Sequence, residues 1–278
     1  MSEYFEGWYI KEKTNNGNII LIPYICKNKK SQKGGLQLIC ENTVYSFVSD
    51  NCNFDRLNEI LSIDKSVFTK DGFMLNISND KLCIVGSISF YSPQKLKNDI
   101  MGPFRFIKHM ECSHSVFHMS HKAAGKLTVN GKEYAFNGQK GYFEGDRGKS
   151  FPKKYAWTQG QCENADVMIA AAEIPLFGSS FFGTIAAVKT PKKEYIFATY
   201  NGAKAISASD EELSIKKGNY VLTAKRLSGE SVELLSPKNG NMTESIYEYP
   251  CCTVRFTLKL CGIVILEFTD DFSGYEFF

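Results

Sequence analysis

The amino-acid sequence predicts an all-β fold. Phe and Tyr are abundant, with 21 and 14 copies in 278 residues, and many alternate with polar residues over short runs, which is the period of a β-strand. Asn-Gly, Asp-Gly and Gly-Gly pairs, which are typical of tight hairpin turns, separate these runs. The sequence contains no long amphipathic helix pattern and no glycine-rich phosphate loop followed by a helix. Many short antiparallel strands with very little helix are therefore expected.

The first half of the chain reads as a series of strands with one short helix. Helix is predicted over residues 55–61, because Leu57, Ile60 and Leu61 form an apolar stripe and Asp55 stands near its start. The predicted strands cover residues 5–11, 19–26, 36–40, 44–48, 67–70, 73–77 and 82–91.

The clearest hairpin signal lies near the middle of the chain. Asn130-Gly131 stands between two alternating runs at residues 127–129 and 132–136, and Asn-Gly in this position favours a two-residue turn. The strands predicted after it cover residues 155–159, 167–174, 181–188, 195–200, 220–225, 232–235, 253–260 and 263–268.

A short internal repeat bears on domain organisation. Tyr-Phe-Glu-Gly occurs at residues 4–7 and again at residues 142–145, half a chain away, which hints at two similar halves. We therefore expect two β domains, residues 1–137 and 138–278.

Composition narrows the function classes. The net charge is only +3 and no basic arm is present, so nucleic acid is not an expected partner. The N-terminus lacks a secretory pattern, and the longest apolar runs are too short to span a bilayer, although peripheral membrane contact stays open. Nine cysteines without framework spacing are expected to be reduced, which favours a cytoplasmic protein.

The stretch Gly141–Gln159 concentrates charge near the midpoint of the chain. It is predicted to begin as a glycine-rich turn carrying Glu144, Asp146 and Arg147, and Pro152 is expected to end any strand pairing there. Such a turn suits the mouth of a pocket, and a solvated surface turn is an equal alternative.

Two features of this stretch suggest chemistry. Glu144 and Asp146 are two apart, so they point the same way in extended chain, and neighbouring like charges raise one pKa and hold a proton for donation. A plain ion pair with Arg147 is the alternative. After the turn, Tyr155 and Trp157 alternate with small residues, so they are predicted to share one strand face with Gln159.

All four histidines fall within residues 109–121. In a regular strand His114 and His118 would share one face, and His121 would lie on the other. Histidine titrates near neutrality and suits general acid–base work, whereas hydrogen bonding within the sheet is the structural alternative. A metal would need a further ligand such as Glu144, so no metal site is predicted.

Three segments resemble tocopherol cyclase-like proteins. They are Phe-Glu-Gly-Trp-Tyr-Ile-Lys at residues 5–11, the block at residues 101–121, and Gly-Tyr-Phe-Glu-Gly-Asp-Arg-Gly-Lys-Ser-Phe-Pro at residues 141–152. The resemblance implies a fold related to lipocalins, with two calycin-type antiparallel barrel or sandwich halves. It also implies chemistry on prenylated quinols, in which a proton goes to a trisubstituted double bond and a phenolic oxygen attacks the resulting cation to close a chromanol ring. Neither a redox nor a metal cofactor is implied.

The chain departs from the family pattern within this signature. Gly145 stands where the family has Lys, Arg147 where it has Trp, and Tyr155 where it has a second Trp, and a histidine usual after Gln159 is missing. Arg147 puts a fixed positive charge where the family has a π face, which disfavours a nearby carbocation.

The residues and the resemblance together predict a cofactor-independent cyclase or isomerase acting on a small hydrophobic molecule, including prenylated ones. Glu144 or Asp146 would be the acid, and His114 or His118 the proton relay. The expected substrate-binding residues are Trp8, Tyr142, Arg147, Tyr155, Trp157, Gln159 and Glu111. One alternative is a non-catalytic lipocalin-like protein that binds a hydrophobic molecule. Another is a structural role in which Arg147 joins the two halves by salt bridges.

Overall fold

The computed structural model describes residues 3–107, 110–176 and 179–278. Its described helices are two short 3₁₀ segments, Gly102–Phe106 and Thr199–Asn201, and neither is long and apolar enough to cross a membrane. The rest is strand and connection, so the predicted all-β class is confirmed. The histidine at position 109 lies outside the described residues.

The strands run through the whole chain. The first eleven are β1 (Tyr4–Thr14), β2 (Gly17–Lys27), β3 (Gln32–Cys40), β4 (Thr43–Ser49), β5 (Cys52–Asp55), β6 (Ile60–Ile63), β7 (Ser66–Thr69), β8 (Gly72–Ser78), β9 (Cys83–Gln94), β10 (Cys112–Val129) and β11 (Lys132–Gly148). The others are β12 (Tyr155–Gln161), β13 (Asp166–Leu176), β14 (Ser179–Lys189), β15 (Glu194–Ala198), β16 (Lys204–Ala208), β17 (Glu212–Lys217), β18 (Tyr220–Gly229), β19 (Val232–Lys238), β20 (Asn241–Leu260) and β21 (Ile263–Phe277).

The chain forms two compact units. Unit 1 comprises Met1–Lys95, Glu111–Phe151 and Leu235–Glu244, and unit 2 comprises Leu96–Met110, Pro152–Leu234 and Ser245–Phe278. The domain division expected between residues 137 and 138 stays a prediction, and both residues lie within β11.

Unit 1 contains an antiparallel sheet with the strand order β4-β3-β2-β1-β11-β10-β9-β8-β7-β6-β5. Its two ends approach each other, with Gly34 of β3 lying against Cys52 of β5, so the sheet curls into a nearly closed barrel. The barrel interior is filled by apolar side chains such as Trp8, Ile10 and Phe143, which are all at most 1% exposed. The closed shape leaves few unpaired strand edges.

Unit 2 contains a second antiparallel sheet, with the order β15-β14-β13-β12-β21-β20-β18-β17-β16 and β19 pairing with β20. Its core includes Ile169, Phe197, Leu222, Val254 and Phe256. Strands β17, β18 and the second half of β20 alternate apolar and polar side chains, as expected for a sheet with one face against the core. Strand β13 is apolar on both faces and is buried on both.

Two local predictions are wrong. Residues 55–61 are not a helix, because the Asp55 carboxylate accepts hydrogen bonds from the N–H groups of Leu57 and Asn58 and closes a turn between β5 and β6. Leu57 is 95% exposed, so the apolar stripe has nothing to pack against. Residues 141–148 are not a turn but the last part of β11.

The Asn130-Gly131 hairpin is confirmed, since Val129 lies opposite Lys132.

A bulge in β10 separates the histidines. Val116 lies opposite Glu144, but His118 already lies opposite Phe143, so β10 has one extra residue between these pairs. His118 therefore faces the barrel interior with Phe143, whereas His114 faces the other way with Glu144. The expectation that His114 and His118 share one face is wrong.

The histidines beyond the bulge form a buried polar chain with Glu12. His121 Nε2 lies 2.6 Å from Glu12 Oε1, and the Nδ1 atoms of His118 and His121 are 3.3 Å apart. Gly141 makes this possible, because a Cβ there would lie 2.3 Å from a Glu12 carboxylate oxygen. Phe90 packs on both imidazole rings. Burial raises the pKa of Glu12, and the opposing charge of His121 only partly offsets it.

The pH dependence of stability should report the state of His118. Burial, followed by the charges of His121, Lys95 and Lys70, lowers its pKa to about 3, whereas an unfolded histidine titrates near about 6.5. Between these pH values only the unfolded chain takes up the proton, so stability falls as pH decreases, by up to about 1.4 kcal/mol per pH unit. The free energy of unfolding, measured with denaturant, should fall less between pH 7.5 and pH 5 in His118→Gln than in the natural protein. An equal fall in both proteins would show that His118 is not held neutral.

Gly145 should tolerate no side chain. A Cβ there would lie 2.8 Å from Trp8 Cδ1 and 2.9 Å from a Phe117 ring carbon, and such overpacking costs about 1–3 kcal/mol. Thermal unfolding of Gly145→Ala should show this loss. Gly7→Ala is the matched control, since its Cβ would meet only the Tyr24 Cβ at 3.7 Å. Similar losses in both variants would contradict the packing argument.

Candidate functional site

Three titratable side chains meet on one face of unit 1. His114 lies opposite Asp146 in the β10–β11 pairing, and Glu144 is two residues from Asp146, so all three point to the same side. His114 Nδ1 is 3.0 Å from Asp146 Oδ1, and His114 Nε2 is 3.2 Å from Glu144 Oε2. The first contact is a hydrogen bond, and the second is an ion pair without hydrogen-bond alignment.

The two carboxylates control the protonation of His114. Burial lowers the pKa of His114, but the charges of Glu144 and Asp146 outweigh the burial and raise the pKa well above its ordinary value. His114 is therefore an imidazolium at neutral pH, held between two carboxylates. The side chains of His114, Glu144 and Asp146 are 12%, 6% and 23% exposed, so the cluster lies in a largely buried place.

Two further side chains bind the carboxylates. The Tyr142 hydroxyl donates a hydrogen bond to Glu144 Oε2, and both residues lie on the same face of β11. The Cys112 thiol donates to Asp146 Oδ1 at 3.5 Å. Burial, with the Asp146 charge next, raises the pKa of Cys112 well above its ordinary value, so the thiol stays protonated and is a poor nucleophile. The chain of contacts is thus Tyr142–Glu144–His114–Asp146–Cys112.

The same cluster has the donor atoms of a metal site. His114, Glu144 and Asp146 each offer one ligand atom, and these atoms lie within 4.8 Å of one another. One imidazole nitrogen and two carboxylate oxygens suit a divalent ion such as zinc. The metal set considered from the sequence, which needed His118, is not brought together because of the bulge.

The other predicted residues of unit 1 lie elsewhere. Trp8 faces the barrel interior, where its ring packs edge-on against Phe54, Phe117 and Phe143. The backbone carbonyl of Glu111 accepts hydrogen bonds from the N–H groups of residues 149 and 150.

Arg147 is exposed and points away from the carboxylate cluster, because it alternates with Asp146 along β11. It lines a small cleft of about 90 Å³ at one end of the unit 1 barrel. The cleft is lined by Glu6, Phe54, Arg56, Glu59, Ser115, Phe117, Gly145, Asp146 and Arg147. Asp146 thus contacts both His114 and the cleft.

The predicted residues of unit 2 lie on β12. Tyr155, Trp157 and Gln159 alternate with the core residue Ala156 and its neighbours, which places them on the face away from the core of unit 2. The Tyr155 hydroxyl donates a hydrogen bond to Glu276 Oε1. All three side chains are buried.

Sequence reasoning missed several residues that the fold brings together. Glu12 and His121 were not proposed as a pair, and Glu6 and Arg56 were not connected with Arg147. Each of these contacts joins strands distant in sequence, so only the register between strands could have revealed it. Tyr142 is among the expected substrate-binding residues, and its hydroxyl donates a hydrogen bond to Glu144.

Comparisons with known proteins identify shared folds. Kievitone hydratase from Nectria haematococca superposes with a TM-score of 0.58 at 10% identity, covering 99% of this chain and 89% of that chain. A candidate AttH protein from Nitrosomonas europaea gives 0.57 at 12% identity, covering 98% and 90%. CghA with Sch210972 gives 0.58 at 8% identity, covering 99% and 88%.

No protein-family model matches the chain, and no curated protein sequence matches it significantly. At such low identities the structural similarity establishes the fold alone. The chain has an all-β, lipocalin-like fold that it shares with these proteins.

Proposed function

We propose that unit 1 carries the active site of an enzyme that transfers a proton to a small hydrophobic molecule. The observation that supports this is the His114 imidazolium between Glu144 and Asp146. Burying three charges together is unfavourable unless they stabilise one another, and strongly shifted pKa values cluster at functional sites. Such a cluster can hold a proton at a defined atom and return it after reaction.

The reaction we propose is the acid-initiated cyclisation or isomerisation of a prenylated quinol or a similar apolar molecule, as in the tocopherol cyclase-like family that the sequence resembles. The proton on His114 Nε2 faces Glu144 Oε2, so transfer between them gives neutral imidazole and a carboxylic acid. Glu144 then protonates the trisubstituted double bond. The π electrons form the new C–H bond and leave a tertiary cation.

Ring closure completes the proposed cycle. A phenolic oxygen of the substrate attacks the cation and forms a C–O bond, and its proton returns to Glu144 and then to His114. No atom is gained or lost, so the product is an isomer and the reaction needs no oxidant. Asp146 keeps His114 oriented, and the Tyr142 hydroxyl stabilises the Glu144 carboxylate that remains after proton transfer.

The comparisons are in keeping with this proposal at a coarser level. One protein with this fold is named a hydratase, and addition of water to a substrate also uses acid–base groups. We assign the relay to His114 rather than His118, because His118 faces the barrel interior. For unit 2 we keep Tyr155, Trp157 and Gln159 as candidate contacts for an apolar ligand.

The alternative is a non-catalytic protein that binds a hydrophobic molecule inside a barrel. In unit 1 the barrel interior is filled by its own side chains, including Trp8 and Phe143. This packing favours the enzyme. The nine cysteines form no disulfide, so a reducing compartment such as the cytoplasm suits the protein.

Removal of the acid should abolish turnover. Purified protein incubated with prenylated hydroquinones should form chromanols, and Glu144→Gln should reduce the rate by at least about 100-fold while ligand affinity changes little. Asp146→Asn should also reduce the rate, because it weakens the hydrogen bond that orients the His114 imidazolium. Product formation is followed by chromatography and binding by tryptophan fluorescence.

Glu133→Gln is the matched control, since Glu133 is an exposed carboxylate on the same strand, paired with Lys126. It should keep full activity. Chelating agents should leave the rate unchanged, and a rate that is lost with a chelator and restored by zinc would instead favour the metal site. Unchanged turnover in Glu144→Gln would exclude Glu144 as the acid.

The pH profile should show the raised pKa of His114. Since Glu144 and Asp146 raise this pKa after overcoming the opposing effect of burial, the protonated form persists above the usual range of histidine. We expect kcat/KM to stay constant through pH 7 and to decrease only in alkaline solution as His114 loses its proton. In Asp146→Asn the decrease should move to lower pH. A decrease centred near about 6.5 in the natural protein would contradict the assignment.

A further inference from the structure

The cleft at the end of the unit 1 barrel combines two guanidinium groups with aromatic walls. Arg147 lies opposite Glu6 in the β1–β11 pairing, and Arg56 comes from the turn that follows β5. Phe54 and Phe117 form the apolar sides, and Ser115 adds a hydroxyl.

The carboxylates in the cleft already have partners. Glu6 accepts a hydrogen bond from Tyr4, Glu59 pairs with Lys70, and Asp146 binds His114. Glu59 and Asp146 thus each have a cationic partner, whereas Glu6 has a neutral hydroxyl. The cleft is open enough for a ligand group to enter beside them.

The two arginines are available to a ligand. In the described part of the chain neither Arg56 nor Arg147 forms an ion pair, although Arg56 lies over the Tyr4 ring at 4.6 Å. Burial raises the pKa of Glu6, and the Arg147 and Arg56 guanidiniums lower it by a smaller amount. Lys70 pairs with Glu59, and His114 is shared between Asp146 and Glu144. The two guanidiniums are therefore the cations of the cleft that can still take up a carboxylate. Guanidinium groups are well suited to bind a carboxylate through two hydrogen bonds.

The size of the cleft limits which chemical groups it can bind. The cleft is small and partly open to solvent, so a carboxylate can enter it while the rest of a larger molecule extends outside. Gly145 lets the backbone of β11 lie close to the Phe117 ring, which lines the cleft with Phe54. The bound group is therefore an anion attached to a flat apolar body.

We propose that this cleft binds a carboxylate of the substrate, so that the enzyme prefers an acidic, unsaturated or aromatic molecule to a neutral quinol. Arg147 and Arg56 hold the carboxylate, and Phe54 and Phe117 contact the adjoining carbons. The rest of the substrate extends past Asp146, which lines the cleft and whose carboxylate binds His114. This inference rests on the proposed function for the chemistry that follows binding, but the binding itself is measurable without turnover.

The test compares an acid with its uncharged counterpart. Probes are a prenylated 4-hydroxybenzoate and its methyl ester, titrated against the full-length protein by isothermal calorimetry. The natural protein should bind the acid at least about 10-fold more tightly than the ester, which corresponds to one good charged hydrogen-bonding pair. The preference should weaken with added salt.

Variants assign the preference to the arginines. Arg147→Gln should remove most of the preference for the acid and leave affinity for the ester within about threefold, and Arg147→Lys should restore part of it. Lys126→Gln, which changes an exposed lysine of the same unit paired with Glu133, should change neither affinity. Because Arg147 is exposed, thermal unfolding should show that the fold is kept.

The outcomes separate the two proposals. Equal affinity for acid and ester, or a preference that survives Arg147→Gln, would overturn the carboxylate cleft. Arginine-dependent binding of the acid without any conversion would keep the cleft and refute the proposed chemistry. Conversion of neutral prenylated quinols, with no preference for acids, would refute the cleft and keep the chemistry.

Discussion

The candidate site depends on one constraint, the pairing of a buried carboxylate, Glu144, and a half-buried one, Asp146, with one histidine. Glu144 and Asp146 point the same way because they are two apart in a strand, and two like charges so close are unfavourable in a buried place. His114 offsets this repulsion because β10 places it opposite Asp146. Removing His114 would leave two neighbouring carboxylates without a cation, and breaking a buried charge pair in this way destabilises proteins by about 3–5 kcal/mol. The packing of unit 1 and the proposed chemistry therefore depend on the same histidine.

The strand β11 carries two different environments on its two faces. Tyr142, Glu144 and Asp146 are on one face, and Phe143, Gly145 and Arg147 are on the other. Alternation keeps the Arg147 guanidinium away from the carboxylates, so the plain ion pair considered from the sequence does not form among the described residues. The cluster keeps a histidine, which titrates, as its cation in place of an arginine, which does not.

The sequence predicts the fold class well and the site only in part. The alternation of apolar and polar residues can be read within one strand, whereas the register between two strands depends on residues far apart in the chain. The Asn130-Gly131 turn predicts that β10 and β11 pair. An uninterrupted register from that turn would place His114 opposite Arg147, but irregularities in β10 shift it to Asp146. A shift of one residue exchanges the faces of every side chain beyond it. The bulge also separates His118 from His114, and no turn signal marks it, so this part of the site could not be derived from the sequence.

Arg147 stands where the tocopherol cyclase-like proteins that the sequence resembles have a tryptophan, and the proposed substrate gives this difference a physical explanation. A positive charge about 8 Å from a developing carbocation raises its energy by about 2 kcal/mol at an effective dielectric constant of about 20. That penalty would slow an acid-initiated reaction of a neutral substrate by about 30-fold. A carboxylate bound between Arg56 and Arg147 cancels this charge and itself attracts the cation. An acidic substrate therefore reconciles the arginine with cationic chemistry, whereas a neutral quinol leaves the repulsion uncompensated.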